Sequence, residues 1–166
     1  MAFIHSKNII HRDLALRNLL ATEISGRLEV KVSDFGMAKM IEGQDSYYKS
    51  ESNHHPIKWC SIGNCRSELL FDHLETLKYG KYTLQSDVWA YGILLWELFS
   101  FGAAPYPGMT NVEAAEKVLE GYRMPSPENC PSEIYTIMTK CWNENPKERP
   151  TMDQIVLQIK SVLKTL

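Results

Sequence analysis

From Leu84 onward the apolar residues fall at helical spacing: Val88, Tyr91, Leu95 and Phe99 share one face, with Trp89, Leu94 and Leu98 filling the gaps. A helix that is apolar on nearly every side is predicted to be buried. Gly92 and Glu97 interrupt this longest apolar run, which argues against a membrane span. A second clear helix lies at the end, where Ile155, Ile159, Val162, Leu163 and Leu166 keep the period behind a capping box of Thr151 and Gln154. Between them, Asn111 is expected to cap a helix through Leu119 that stops at Gly121. Pro131-Ser132-Glu133 opens another, carrying Ile134, Ile137, Met138 and Cys141. The amino-terminal part is different. Ala2 to His5 reads as the end of a helix, then Leu19-Leu20-Ala21 and Leu28 to Val32 read as short strands joined through Ser25-Gly26. Residues 37 to 58 are polar and without period, as in a long exposed loop. The expected fold class is mainly α, of α+β type: a helical bundle with a small β-hairpin, forming one domain over residues 1–166.

Composition narrows the function. Of 166 residues, 44% are hydrophobic, enough for a core in a chain this long. Lys and Arg number 18 and Asp and Glu 20, a net charge of -2, so no global field attracts nucleic acid or anionic lipid. The four cysteines, Cys60, Cys65, Cys130 and Cys141, are too unevenly placed for a disulfide framework and fit a reducing compartment. No basic-then-apolar leader is present.

The chemistry is concentrated in two short runs. His11-Arg12-Asp13-Leu14 is followed by Asn18, and Asp34-Phe35-Gly36 comes directly after the second strand candidate. Asp13, Asn18 and Asp34 carry hard oxygens, of the kind that suit magnesium.

These runs match the catalytic-loop pattern H-R-D-L-x-x-x-N and the D-F-G magnesium motif, and the chain resembles the carboxyl-terminal lobe of a protein-tyrosine kinase catalytic domain. The resemblance implies an enzyme that uses ATP and magnesium to phosphorylate tyrosine in protein substrates. It assigns Asp13 as proton acceptor, Asn18 and Asp34 as magnesium ligands, and His11, Phe35 and Gly36 as structural members of the two motifs. Ala15 and Arg17 stand where the tyrosine-specific branch of the family differs from the serine/threonine branch, so Arg17 is expected beside the catalytic Asp. Pro56-Ile57-Lys58-Trp59 resembles the platform for the substrate peptide. Asp87, opening the run Asp87-Val88-Trp89-Ala90-Tyr91-Gly92, is expected to tie down the catalytic-loop backbone. Trp89, Trp96 and Trp142 are assigned to the core. Tyr47 and Tyr48 lie in the polar loop where family members are switched by phosphorylation, and Arg12 can form a bidentate pair with a phosphate there. In the family such a domain faces the cytosol, in a cytoplasmic enzyme or the cytoplasmic portion of a membrane receptor.

Three departures qualify the resemblance. Cys60 through Leu74 form an atypical insert at 60–74, and Glu75 behind it, in preference to the rival candidate Glu68, is expected to make the buried ion pair with Arg149. Within and beside that insert His54, His55, Cys60 and Cys65 offer a rival zinc site at loose spacing, while His5 and His73 read as surface residues. No G-x-G-x-x-G-x-V loop and no V-A-I-K lysine occur, so the amino-terminal lobe that clamps ATP is expected to belong to a longer protein. The alternative function is an inactive truncated lobe serving as a binding or regulatory module.

Overall fold

The computed structural model describes residues 1–41, 47–49, 56–61 and 81–164. Short helix α1 (Ala2–His5) leads into strand β1 (Ile9–Ile10), a 3-10 turn at Leu16–Asn18, and the hairpin of β2 (Leu19–Ile24) and β3 (Arg27–Val32). Strands β4 (Lys39–Met40), β5 (Tyr48–Lys49) and β6 (Lys81–Tyr82) are two residues each. The carboxyl-terminal half is helical: α2 (Leu84–Phe99), α3 (Asn111–Leu119), α4 (Ser132–Cys141) and α5 (Met152–Val162). This is the mixed α+β class, mainly helical, that the sequence pattern predicts.

Helix α2 is the axis of the core. Val88, Trp89, Ile93, Leu94 and Leu95 are buried along it, with Ile137, Met138, Cys141 and Trp142 of α4 and its end, and Ile155 of α5, in the same apolar cluster. Gly92 is where α2 and α4 touch: a Cβ there would lie 2.5 Å from Trp142 Nε1 and 2.8 Å from Cys141 Cβ. Trp89 is fully buried, its ring faced by Arg123 at 4.8 Å and Arg149 at 5.0 Å.

The helix ends follow capping chemistry. Thr151 accepts from Gln154 N and the Gln154 side chain accepts from Thr151 N, the predicted box. Helix α3 is capped by Thr110, not by Asn111. The Thr110 hydroxyl accepts from Glu113 N and Glu113 Oε2 accepts from Thr110 N at 2.7 Å, which places Asn111 at the first helical position. Gly121, at φ 95, ends this helix in the left-handed conformation that glycine adopts without strain.

The hairpin has the expected turn, with Ser25 at φ 52 and Gly26 at φ 74, and pairs Leu19 with Val32 through Ile24 with Arg27. Its alternation does not translate into a buried face. Leu20, Ile24, Leu28 and Val30 are all more than half exposed, and only Leu19 and Val32 at the foot pack against the core. The loop expected over 37–58 is also not wholly irregular: β4 pairs with β1 and β5 with β6. No described helix is long and apolar enough to cross a membrane.

Candidate active site

Helix α2 holds the His11 to Leu16 backbone from behind at two points. At its first turn Asp87, 1% exposed, accepts the backbone N–H of His11 on Oδ2 at 2.7 Å and that of Arg12 on Oδ1 at 3.0 Å. Arg12 has φ 72, a conformation costing about 1–2 kcal/mol for a residue with a Cβ. The Asp87 bridge is what retains it. Ten residues along, Glu97, also buried, accepts the backbone N–H of Leu16 at 3.0 Å and the indole N–H of Trp59 at 2.8 Å on the same Oε2. One carboxylate therefore fastens the Pro56 to Trp59 segment to the loop.

Between those anchors the 3-10 turn brings Asp13, Arg17 and Asn18 together. Arg17 Nη2 donates to Asp13 Oδ1, and Asn18 Nδ2 donates to Asp13 O at 2.7 Å and Oδ2 at 2.9 Å. The guanidinium of Arg17 lies over Trp59, its Cζ 4.6 Å from the ring centroid. Both Asp13 oxygens thus receive donors that orient the carboxylate, and the cation beside it is itself held by an aromatic face.

The second motif meets the first across the foot of the hairpin. Asn18 O accepts from Ser33 N at 2.8 Å and from Ser33 Oγ at 2.9 Å, which sets Asp34 next to Asn18. Asp34 is the second motif residue in the left-handed region, at φ 58, and its Oδ1 accepts from Gly36 N at 3.2 Å. His11, completely buried, donates from Nε2 to Ser33 O at 3.0 Å and sets its ring edge against Phe35, 4.9 Å between centroids. Among the described residues, Asn18 Oδ1 and Asp34 Oδ2 take no hydrogen bond, since the Asn18 amide nitrogen is committed to Asp13. Two free hard oxygens beside a carboxylate fit magnesium.

Arg12 reaches towards the loop tyrosines. Its Nη1 donates to Met37 O at 3.0 Å and its guanidinium lies between the rings of Tyr48 at 4.7 Å and Tyr82 at 4.6 Å. Lys39 approaches the Tyr48 ring at 5.6 Å, and Lys81 the Tyr47 ring at 4.3 Å. Each tyrosine of the pair therefore has a cation against it, and Tyr48 is half-buried where exposed loop tyrosines were the plain alternative.

Other expected contacts lie elsewhere. Glu75, and with it the pairing expected with Arg149, lies outside the described residues. Arg149 itself is buried and donates to the carbonyls of Asn143 at 2.8 Å, Gln85 at 2.9 Å and Glu144 at 3.3 Å. Burial pushes its pKa down to about 10, and neighbouring Arg123 adds to the shift. Of the rival zinc set only Cys60 is among the described residues, and these contain no group of three or more His, Cys, Asp or Glu able to hold a metal.

Two residues were not read from the sequence as part of this corner. Glu97 carried a signal, being an acid inside an otherwise apolar helix, where burial demands partners. His5, read as a surface residue, instead has its side chain 11% exposed and its Nε2 3.2 Å from Asp87 Oδ2. That contact joins residues 82 apart in the chain, beyond the reach of any local pattern.

Residues 1–159 match the family model described as protein tyrosine and serine/threonine kinase. The chain is 45% identical to the tyrosine-protein kinase Fer of Mus musculus and to that of Rattus norvegicus, and 43% identical to that of Homo sapiens. Each alignment runs over 166 residues, all of this chain but 18% of the relative, so the chain spans under a fifth of the length of these relatives. With the two motifs folded into one corner and the family model covering nearly the whole length, the chain belongs to the protein tyrosine and serine/threonine kinase family.

Proposed function

We propose that this chain is the catalytic-loop lobe of a protein-tyrosine kinase, transferring the γ-phosphate of ATP to tyrosine hydroxyls in proteins. The observation that carries the reading is the convergence of Asp13, Arg17 and Asn18 in one turn with Asp34 alongside. Asp13, with its carboxylate held by Arg17 and Asn18, orients the substrate hydroxyl and accepts its proton. Asn18 and Asp34 hold magnesium, which when bound neutralises charge on the phosphate oxygens. Arg17, resting on Trp59, adds positive charge beside Asp13 and leaves the floor in front of the loop open to a phenol. Trp59 and Glu97 set the Pro56 to Trp59 segment as the peptide platform.

Regulation follows from the same corner. Tyr48, and Tyr47 beside it, are the phosphorylation sites, and a phosphate on Tyr48 meets Arg12 and Lys39, exchanging a ring-face contact for charge-assisted hydrogen bonds. The domain works in the cytosol, where ATP is, together with an ATP-binding lobe.

The test is magnesium-dependent phosphotransfer to a tyrosine peptide, measured for the 166-residue chain and for a longer chain carrying it behind an ATP-binding lobe. Asp13→Asn is the control. Transfer by the longer chain, lowered in the control by about a hundredfold or more, is expected. Absence of transfer from the longer wild-type chain would reject the catalytic reading and leave a binding module.

A further inference from the structure

We propose that the outer faces of α3 and α5 are complementary and join copies of this chain head to tail, α3 of one molecule lying on α5 of the next. Each helix buries one side and leaves the other to solvent. Helix α3 buries Ala114 and Val118, and α5 buries Met152, Ile155 and Val162. Away from that buried side of α3, Val112, Glu116 and Glu120 follow one another at intervals of four, all exposed. On α5, Val156, Lys160 and Lys164 do the same. Residues four apart line up as a ridge on a helix surface, and two such ridges interdigitate when helices pack. One ridge here reads valine, glutamate, glutamate, and the other valine, lysine, lysine. Laid side by side in the same direction, they put Val112 against Val156, Glu116 beside Lys160 and Glu120 beside Lys164.

The charges on both ridges are available. Among the described residues Lys160, Lys164 and Glu116 make no ion pair, and Glu120 holds Lys117 through Oε2 at 2.7 Å, which leaves its Oε1 over. Charges of the other sign stand beside the ridges and not on them: Lys117 is the one taken by Glu120, and Asp153 lies at the opening turn of α5. Leu157 and Leu163, 67% and 66% exposed, flank the basic ridge and supply the apolar surface that the contact removes from water. The two faces are distinct surfaces, since α3 packs on the Ile57–Trp59 turn and α5 on α4 and α1. One molecule therefore uses both at once, with two different neighbours, and the contact extends a row of copies where a two-fold contact would close on a pair. A net charge of -2 opposes this approach only weakly. Helix α3 is about 13 Å long and α5 about 16 Å. A patch of that length falls in the smallest interface class, below about 1,200 Å², so the association is transient.

Sedimentation equilibrium of the 166-residue chain at micromolar to submillimolar concentrations tests the contact. The weight-average mass of the wild type is expected to rise with concentration at low salt and to fall towards the monomer at about 1 M salt, where the screening length is about 3 Å. Two charge-reversed variants carry the argument: Glu116→Lys with Glu120→Lys makes both ridges basic, and Lys160→Glu with Lys164→Glu makes both acidic. Each alone is expected to associate at least about tenfold more weakly than wild type. Their equimolar mixture regains association, because every α3 ridge again meets an α5 ridge of opposite sign. Arg27→Glu with Lys31→Glu, in the hairpin, makes the same change of net charge as the acidic variant and is expected to associate as wild type does. A wild type that stays monomeric throughout would overturn the proposal, including one that instead sediments with phosphatidylserine vesicles. So would ridge variants that associate as the wild type does, a mixture no more associated than its components, or a hairpin variant as impaired as the ridge variants.

Discussion

The His11 to Asn18 segment and the hairpin that follows it are consecutive in the chain and built on opposite terms. In residues 11–18 His11, Leu14 and Ala15 are fully or almost fully buried, Arg12 and Asn18 nearly so, and the backbone is held in an unfavourable conformation at Arg12. In residues 19–32 almost every side chain is exposed and the ladder between β2 and β3 does the holding. Strain in the first segment persists because carboxylates on α2 over-determine it. The hairpin keeps its register through its turn and its ladder, and of its apolar residues Leu19 and Val32 at its foot pack against the core while Leu20, Ile24, Leu28 and Val30 stay exposed. The order of the His11 to Asn18 segment therefore comes from the helical body, and the hairpin contributes mainly the foot at which Ser33 meets Asn18.

The sharpest way to break this contrast is at Asp87. Asp87→Ala leaves two buried N–H groups without their acceptor, at about 1–3 kcal/mol each, so urea unfolding is expected to show a loss of about 2–6 kcal/mol. Next comes Gly92→Ala, well away from the loop. A methyl 2.5 Å from Trp142 Nε1 forces α2 and α4 apart, with an expected cost of about 1–3 kcal/mol by the same measurement. It should also loosen the loop, because both loop anchors ride on α2. The smallest effect is expected in the hairpin: Leu28→Ser, at a side chain 73% exposed, should change stability by no more than about 0.5 kcal/mol. A large loss there would show that the hairpin is packed in solution and would erase the distinction.

The same contrast governs what the sequence reveals. The two motifs are legible because their spacing is local and fixed by one turn and one strand end. The helices are legible because burial along α2, α4 and α5 repeats with the helical period, and the Thr151 box could be placed to the residue. Asn111 was the wrong cap because threonine and asparagine stand side by side, and only the reach of Glu113 to Thr110 decides between them. The hairpin's alternation gave the strand but not its exposure, since alternation says which residues share a face and nothing of what covers it. His5 and Glu97 were illegible as partners of the loop for a different reason. Their contacts, to Asp87 and to Leu16 and Trp59, join stretches far apart in the chain.

The two carboxylates on α2 also make that helix a gauge of length. From Asp87 to Glu97 the axis advances by about 15 Å, at about 1.5 Å per residue. The loop amides they hold, of Arg12 and Leu16, are only four residues apart. One helix therefore meters one loop. A residue added or deleted within that interval would swing Glu97 by about 100° around the axis and shift it by about 1.5 Å. Surface loops accept such changes readily; this interval does not. Substitution is open to evolution along α2, but gain or loss of a residue between its two acids is closed.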